Sequence, residues 1–356
     1  MNNSLAPNLT TLPEFIDAPS AWLGSDMAAH QDEWLYQLTT NDIADLESAA
    51  RRYLSLGKDI GEIDAASFPL NSFAAHVEAL RETMLTGKGF EVLRGLPVAS
   101  YTQEFTATIF CGIGAHLGSA RSQNADGHIL GHVRDIGADA SDPNSRIYQT
   151  CARQTFHTDS TDVVGLLCIR DAKEGGDSLL VSAESIYNRM IADHPDLLVK
   201  LFEPVATDRR GEIPTGEKPY MEIPVLSWHQ GFLTVFYQRQ YINSAKRFDD
   251  APTLTDKHRQ ALDRFDELAN DPDLYLSMRL VPGDMQFVYN HSQLHDRTGF
   301  IDWPDKSMRR HMLRLWLSLE NDRPLPEYFK QRYGSIEIGN RGGIITQQTK
   351  LNAPLD

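Results

Sequence analysis

Residues 154–159 read QTFHTD and are the most informative segment of the chain. His157 and Asp159 are two positions apart, so on a β-strand both side chains leave the same face, whereas on a helix they diverge by about 200°. The neighbouring Thr and Phe residues favour a strand, and residues 162–169 continue as an apolar, β-branched run typical of a buried strand. The pattern therefore predicts that His157 and Asp159 project together from one strand.

A second histidine, His295, lies far downstream in the segment LHDR at 294–297. Two imidazoles and one carboxylate that meet on one face of a metal form a 2-His-1-carboxylate triad. Such a triad leaves coordination positions open and suits non-haem Fe(II) oxygen chemistry. A His-x-Asp tripeptide alone is more typical of a strand histidine with a local hydrogen-bond partner. The interpretation as a metal site therefore depends on the rest of the chain.

Composition limits the kind of partner. The 356 residues carry 49 acidic and 34 basic side chains, which gives a formal net charge of −15. This balance argues against nucleic acid or an anionic membrane as the main partner, because phosphate binding needs clustered Lys and Arg. No run approaches the ~18 apolar residues that a membrane span needs. An anionic small molecule would have to be met by local arginines.

The cysteines and the N-terminus predict a reducing location. Cys111, Cys151 and Cys168 have no paired spacing, and their odd number argues against a disulfide framework. The N-terminal residues show neither the basic nor the apolar region of a secretory signal. A cytoplasmic protein is the expectation. The oligomeric state is left open, a homo-oligomer included.

The order of predicted elements indicates one catalytic domain with an N-terminal helical layer. Residues 1–87 read as an irregular arm followed by two amphipathic helices, the first capped by Asn41. Residues 88–322 contain many short strands with inserted helices, and residues 323–356 form a C-terminal extension. Short antiparallel strands with ligands on well-separated strands indicate a mainly β fold with a jelly-roll core, also called a cupin-like double-stranded β-helix.

Five short motifs occur along this core in a recognisable order. They are HTD at 157–159, GGDS at 175–178, PGDMQF at 282–287, NHSQLHDRTGF at 290–300 and RRHMLRLW at 309–316. In order and rough spacing they resemble the taurine dioxygenase (TauD/TfdA-like) family of Fe(II)/2-oxoglutarate-dependent oxygenases. The resemblance covers roughly residues 88–320. It implies a dioxygenase that uses Fe(II), 2-oxoglutarate and O2, releases succinate and CO2, and most often hydroxylates an unactivated C–H bond.

The resemblance also implies a role for each matching residue. His157, Asp159 and His295 correspond to the metal ligands, and Arg310 corresponds to the arginine that meets the far carboxylate of 2-oxoglutarate. Ser178 stands where the family has a threonine and keeps the hydroxyl group that helps to hold that carboxylate. Physical chemistry supports the assignment of Arg310, because a guanidinium fork fits a planar carboxylate better than lysine does.

Arg314 matches the position at which taurine dioxygenases place an arginine against the anionic group of the substrate. The resemblance therefore implies a small substrate with a carboxylate, a sulfonate or a similar anion. The segment between His295 and Arg310 is a few residues longer than in the family, which leaves open whether Arg309 takes the role given to Arg310. On a strand, Arg310 and Arg314 share a face and Arg309 points the other way.

Five further residues, Tyr148, Gln149, Arg153, Asp162 and His132, are candidates for substrate contact because they lie on or near strands that lead to the triad. Phe236, Tyr237 and Trp303 are candidates for aromatic walls of the pocket. Core packing is the alternative for Trp303. His132 is also four positions from His128, but no HExxH glutamate accompanies the pair, so a separate zinc site is not expected.

Two other functions compete with the oxygenase. A jelly-roll hydrolase or isomerase would use the same His/Asp/His site with Zn²⁺ as a Lewis acid and without 2-oxoglutarate. A non-catalytic binding module would keep the metal ligands without turnover. Arg310 and Ser178 argue against the hydrolase, because that enzyme has no dicarboxylate to anchor. An intact triad together with an intact cosubstrate anchor argues against the binding module.

Overall fold

The structure is a computed structural model that describes residues 12–124, 126–138, 146–214, 216–344 and 349–355. In chain order its helices are α1 (Gly24–Ala29), α2 (Thr40–Ser55), α3 (Ala74–Leu85), α4 (Gln103–Leu117), α5 (Ala183–Asp193), α6 (Pro195–Leu201), α7 (Arg239–Ser244), α8 (Asp256–Ala269) and α9 (Lys330–Tyr333). None of these helices has the length and apolar character needed to cross a bilayer.

The strands of these ranges are short. In chain order they are β1 (Leu35–Gln37), β2 (Phe90–Arg94), β3 (Ser119–Ala120), β4 (Leu130–Val133), β5 (Gln154–His157), β6 (Val163–Arg170), β7 (Glu174–Gly175), β8 (Ser178–Ser182), β9 (Pro204–Asp208), β10 (Tyr220–Pro224), β11 (Leu226–His229), β12 (Phe232–Val235), β13 (Tyr275–Met278), β14 (Met285–Tyr289), β15 (Gln293–Arg297), β16 (Phe300–Ile301) and β17 (His311–Ser318).

Two sheets form the walls of the core. The major sheet has the order β1-β2-β14-β6-β17-β3, with β4 also paired to β17, and the minor sheet has the order β13-β8-β15-β5. All of these pairs are antiparallel except β1 with β2. Val164 and Met312 of the major sheet share one buried apolar cluster with Leu180 and Leu276 of the minor sheet. The predicted mainly β jelly roll is confirmed.

The other face of the major sheet is covered by the N-terminal helices. Leu313 and Leu315 of β17 share a core cluster with Leu46 of α2 and Phe110 of α4. Because side chains alternate along a strand, Met312, Arg314 and Trp316 point instead between the two sheets. The last strand therefore builds the helix-facing core with one set of residues and lines the interior with the other.

Local capping explains where the N-terminal helices begin. Thr39 caps α2 in a capping box with Asp42, so the predicted cap at Asn41 is wrong by two positions. Asp45 of α2 accepts hydrogen bonds from the backbone N–H groups of Asn71 and Phe73 just before α3 begins. One buried carboxylate thus ties the two helices together.

Inserted helices cover the minor sheet. Tyr187 of α5, Leu198 of α6 and Phe265 of α8 share a buried cluster with Val181 and Leu294 of the sheet. The C-terminal Ala353 belongs to the same core cluster as the N-terminal helices and the major sheet. The domain boundaries at residues 87 and 322 stay predictions.

Candidate metal centre

Three buried side chains from distant parts of the chain meet between the sheets. His157 lies directly opposite His295 in the pairing of β5 with β15. The Asp159 carboxylate has Oδ1 4.0 Å from His157 Nε2 and Oδ2 3.9 Å from His295 Nε2. One ligand atom of each residue lies within 4.8 Å of those of the other two. Two nitrogens and one oxygen at this spacing suit a single metal ion with open coordination positions.

Asp159 reaches this position from a loop. Strand β5 ends at His157, so the prediction that one strand carries both residues is wrong. The backbone N–H of Thr158 donates to Tyr237 O at 2.9 Å, and that of Asp159 donates to the Asn290 side-chain oxygen at 2.9 Å. These bonds turn the chain out of the strand and hold the carboxylate beside the imidazoles.

The protonation of the three groups favours a cation. Burial lowers the pKa of His157, and burial together with His157 lowers the pKa of His295 to about 3. Burial acts to raise the pKa of Asp159, but Arg314 and the two histidines outweigh it, and the pKa is lowered. The imidazoles are therefore neutral and the carboxylate is charged, which are the forms that bind metal.

Hydrogen bonds orient two of the three groups. His157 Nδ1 lies 2.9 Å from Thr155 O, and a proton on Nδ1 for this bond places the lone pair on Nε2, the nitrogen that faces Asp159 and that Gln154 Nε2 contacts at 2.9 Å. Trp316 Nε1 donates to Asp159 Oδ2 at 2.8 Å, and Arg314 Nη1 lies 3.4 Å from the same oxygen. Trp316 was not predicted as a site residue. Its position two residues after Arg314 on a strand was the signal for it.

An inner cavity extends from the triad between the two sheets. Its walls include Val133, Tyr148, Gln154, Val164, Leu166, Ser178, Leu280, Asp296, Arg297, Arg310, Met312 and Arg314. The cavity therefore contains the three residues predicted to meet anions, Ser178, Arg310 and Arg314. Tyr148 was among the further candidates, whereas Gln154 and Arg297 were not predicted.

Arg310 carries hydrogen-bonding capacity that the protein does not use. Its side chain is buried, its Nη1 has no hydrogen-bond partner among the described residues, and its Nη2 contacts the sulfur of Met312 at 2.8 Å. Gly176 permits this position, because a Cβ there would lie 3.1 Å from Arg310 Nε and the φ angle is +76°. A buried guanidinium without a partner is costly unless a ligand satisfies it. The site therefore fits the carboxylate of a cosubstrate.

Arg297 adds a second positive charge at the same end. Its Nε and Nη1 also have no partner among the described residues, and its guanidinium lies 4.7 Å from the centre of the Phe300 ring. The Arg310 guanidinium lies 5.3 Å from the same ring. Burial and the neighbouring Arg310 lower the pKa of Arg297 to about 10. Both arginines stay charged at neutral pH, so this end of the cavity attracts anions.

The open question about Arg309 has a geometric answer. Its side chain does not line the cavity, and its Nε donates to Trp303 O at 3.3 Å. Arg310 lines the cavity instead. The pairing of β17 with β6 shifts register between His311 and Met312, through one extra residue on β6.

A second cavity, called the outer cavity here, shares the walls Tyr148, Gln154, Asp159 and Arg314 with the inner one. Its remaining walls are Gln123, Asn124, Arg146, Thr158, Ser160, Thr207, Glu212, Met221, Phe236, Gln238, Tyr241, Trp316, Arg332 and Ile344. Arg314 stands between the cavities, and its Nε donates to Gln123 Oε1 at 2.7 Å.

Three predicted substrate residues lie one position away from residues that do line a cavity. His132, Gln149 and Arg153 line neither cavity, whereas their neighbours Val133, Tyr148 and Gln154 do, so their contact with a substrate stays a prediction. Adjacent side chains on an extended chain point to opposite faces. Arg153 pairs with Asp296, and His132 contacts His311 Nε2 at 2.8 Å and Pro354 O at 2.9 Å.

Asp162 and Trp303 also lie outside both cavities, so neither cavity supports their predicted role. Trp303 is half-buried and contributes its carbonyl group to Arg309. Asp162 belongs to a fully buried network in which Oδ1 lies 2.8 Å from His291 Nε2 and 2.8 Å from Arg341 Nε. Its Oδ2 accepts a hydrogen bond from the backbone N–H of Leu319 at 2.9 Å. Both carboxylate oxygens therefore already have partners within the protein.

This network resembles a second metal site at first sight. One ligand atom each of Asp162, His291 and Asp322 lies within 4.8 Å of the other two. Arg341, however, donates to both carboxylates, to Asp162 Oδ1 at 2.8 Å and to Asp322 Oδ2 at 2.7 Å. The guanidinium already supplies the positive charge that a cation would bring.

Comparisons with known proteins agree on one family and one fold. The family model for "Taurine catabolism dioxygenase TauD, TfdA family" matches residues 52–316. FR-33289 synthase of Streptomyces rubellomurinus is 34% identical over 300 residues, with 83% of this chain and 88% of that protein covered. Taurine hydroxylase-like protein SAT17 of Stachybotrys chartarum is 30% identical over 305 residues, with 83% and 77% covered.

Among solved structures, asparagine oxygenase in complex with Fe(II), 2S,3S-3-hydroxyasparagine and succinate superimposes with a TM-score of 0.61. The sequence identity is 17%, and the match covers 80% of this chain and 93% of that one. At this identity the match shows a common fold.

Proposed function

The chain belongs to the taurine catabolism dioxygenase TauD, TfdA family, and on that premise we propose that it hydroxylates an unactivated C–H bond of a small anionic compound. It is an Fe(II)- and 2-oxoglutarate-dependent dioxygenase, an oxidoreductase with O2 as its other cosubstrate. When bound, iron and 2-oxoglutarate supply the oxidising power, and the cosubstrate leaves as succinate and CO2. What remains for the protein is to hold and orient each reactant.

One observation carries the proposal. The His157, Asp159 and His295 triad opens into the same buried cavity as Arg310, whose Nη1 has no partner among the described residues. A metal ion at the triad and a dicarboxylate between it and Arg310 would satisfy both ends of that cavity. A hydrolase or isomerase with the same triad would leave the buried guanidinium without a function.

In the proposed site, His157, Asp159 and His295 hold the metal. Trp316 and Arg314 would keep Asp159 Oδ2 in place through the contacts at 2.8 Å and 3.4 Å. Partners of this kind fix the direction of a metal ligand and raise its affinity. The backbone bond from Asp159 to Asn290 supports the loop from behind.

Arg310 and Ser178 are proposed to hold the far carboxylate of 2-oxoglutarate. The Ser178 hydroxyl lines the same cavity as Arg310 and donates to Gln286 Oε1 at 2.9 Å, so it would turn its single proton from Gln286 to the carboxylate when the cosubstrate binds. A charge-assisted pair in a buried cavity fixes the cosubstrate in orientation as well as in place.

Arg314 supports an anionic substrate, a carboxylate or a sulfonate among others. It borders both cavities, and its guanidinium lies 4.7 Å from the centre of the Tyr148 ring. A substrate in the outer cavity would meet this charge beside the metal. Relatives named as a synthase and as a taurine hydroxylase-like protein are consistent with small organic substrates.

We also propose a reducing, cytoplasmic location. The three cysteines are free thiols, with Cys111 and Cys168 buried and Cys151 exposed. Burial raises the pKa of each buried thiol to about 12, so both stay protonated and unreactive at neutral pH.

The test uses the full chain under argon. Fe(II) and 2-oxoglutarate are added, and the weak visible charge-transfer band of the chelate is recorded before oxygen is admitted and succinate is assayed. We expect His157→Ala and Asp159→Ala to abolish both signals. His30→Ala, at an exposed position, is the matched control and should keep them. Turnover that survives in either ligand variant would reject the assignment.

A further inference from the structure

The outer cavity contains a basic cluster that the cosubstrate site does not use. Arg146 and Arg332, which are far apart in sequence, meet around Glu212, which lies between β9 and β10. The Arg146 guanidinium forms an ion pair with Glu212 Oε1, and Arg332 Nη1 lies 3.5 Å from Glu212 Oε2. Two cations therefore share one carboxylate.

Hydroxyl groups complete this cluster. Arg146 Nη1 donates to the Tyr241 hydroxyl at 2.9 Å, and Arg332 Nε donates to Ser160 Oγ at 2.6 Å. Both hydroxyl groups keep a proton to donate to a ligand. The side chains of Arg146, Arg332 and Glu212 are 22%, 10% and 17% exposed, so the cluster is sheltered and still open to the cavity.

We propose that Arg146 and Arg332 bind a dianionic phosphoryl group of the substrate, and that Glu212 occupies the two guanidinium groups until the substrate arrives. The inference rests on the proposed function, because it names the substrate class of the same active site. The phosphoryl group would be the part of the substrate that lies away from the metal.

The number and direction of donors favour a phosphoryl group over a carboxylate. A planar carboxylate is satisfied by one guanidinium fork. Here two guanidinium groups from separate segments and two hydroxyl groups surround one region, which suits the three terminal oxygens of a tetrahedral anion. The charges match as well, because release of Glu212 leaves two positive charges for a dianion in a chain whose net charge is −15.

The cluster lines the same cavity as the metal-ligand candidate Asp159. Ser160, the partner of Arg332, follows the metal-ligand candidate Asp159 directly in sequence. Gln154 and Arg314 lie in the walls of both cavities. A small substrate anchored at Arg146 and Arg332 would therefore extend across the outer cavity toward the open coordination positions.

The phosphoryl site is separate from the cosubstrate site. Arg310 and Ser178 line the inner cavity and not the outer one, whereas Arg146 and Arg332 line the outer cavity and not the inner one. Saturation with 2-oxoglutarate should therefore leave the phosphoryl site free. This separation makes the two sites testable one at a time.

Calorimetric titration with methylphosphonate, at a pH at which it is a dianion, tests the proposal on the full chain saturated with 2-oxoglutarate under argon. We expect Arg146→Met and Arg332→Met each to weaken binding at least about tenfold, because each removes one partner of a buried charge pair. Arg264→Met, on α8 outside the cavity, is the control and should bind as the parent does. Glu212→Gln should bind more tightly, since the competing carboxylate is gone.

Methanesulfonate and acetate at equal ionic strength decide the class of anion. We expect both to bind at least about tenfold more weakly than methylphosphonate, because each carries one charge. Equal binding of the three anions would overturn the phosphoryl assignment. Unchanged methylphosphonate binding in both arginine variants, or weaker binding in Glu212→Gln, would overturn the site itself.

Two further measurements keep the result interpretable. The chelate band, recorded for every variant, reports on the metal and cosubstrate sites, so its loss in the parent protein signals failure of the proposed function and not of the phosphoryl site. Titrations without Fe(II) should give the same dissociation constant, and a requirement for iron would place the anion on the metal and overturn the inference. If a methionine variant fails to fold, Arg146→Lys or Arg332→Lys keeps the charge, loses the fork, and should still weaken binding.

Discussion

His157 and His295 face each other across the pairing of β5 with β15, and their ring centroids are 4.2 Å apart. Two neutral imidazoles at this distance stabilise each other little, and burial removes both from water. A metal ion shared by them and by Asp159 explains why they are kept together. The predictions below test this centre and the structure that supports it.

Replacement of Arg310 should damage the use of 2-oxoglutarate. Arg310→Met removes the buried guanidinium, and we expect KM for 2-oxoglutarate to rise by roughly 30-fold or more, the equivalent of about 2 kcal/mol. Arg309→Met is a control one position away, outside the cavity. Steady-state succinate assays measure both. A larger effect in Arg309→Met would show that the anchor has the other register.

Removal of the Trp316 hydrogen bond should weaken metal binding. Trp316→Phe keeps an aromatic ring and deletes the donor to Asp159 Oδ2 at 2.8 Å. Loss of such a supporting bond commonly costs about 10- to 100-fold in metal affinity. Anaerobic Fe(II) titration measures it, with Trp228→Phe in β11 as a control away from the triad. Equal affinities in the two variants would mean that Trp316 has only a packing role.

The His311 imidazole should make the protein less stable in acid. Burial, together with His132 and Arg170, lowers the pKa of His311 to about 3 from its usual 6.5. In the unfolded chain His311 therefore binds a proton below about pH 6.5, whereas in the folded chain it binds one only below about pH 3. Stability falls as the pH falls through this window, by roughly 2 kcal/mol between pH 7 and pH 5.

Chemical denaturation at several pH values checks this slope. His311→Asn should flatten it between pH 7 and pH 5, whereas the exposed His30→Asn should leave it unchanged. An identical slope in His311→Asn and the parent would contradict the assignment of this proton uptake.

Loss of Arg341 should destabilise the whole fold. Arg341→Met leaves Asp162 and Asp322 buried without their shared cation. Breaking a buried pair in this way costs about 3–5 kcal/mol, which corresponds to a fall in Tm of roughly 4–7 °C for a chain of this length. Arg51→Met on the exposed face of α2 is the control. A change in Tm no larger than that of the control would show that the network tolerates the loss.

The sequence predicted the ligand residues and the jelly roll because those signals are local. A His-x-Asp motif, alternating apolar residues and turn residues depend on neighbouring positions. Arg310 was assigned through the resemblance of its segment to the family, and its place on the same strand face as Arg314 agreed with that assignment. His132, Gln149 and Arg153 fall outside both cavities for a different reason. The path of the chain was correct to one residue, and one residue is enough to reverse the face of an extended segment.

The outer cavity was not predictable in the same way. Arg146, Glu212 and Arg332 have no common motif and meet only because three separate segments pack around Tyr241 and Ser160. Likewise, the fully buried Asp162 looked like a pocket residue until its partners His291 and Arg341 were known. Long-range partners of charged residues are information that a single sequence does not contain.

The order of the major sheet has a consequence for synthesis in the cell. β17 is the last strand to be made, yet it lies between β6 and β3 and contributes Arg314 and Trp316 to the interior. A nascent chain therefore leaves the ribosome with an incomplete sheet until residue 318 emerges, because pairings of such long sequence separation form late. We therefore expect iron to bind after translation. A chain truncated before β17 should be degraded by proteases and should not bind iron.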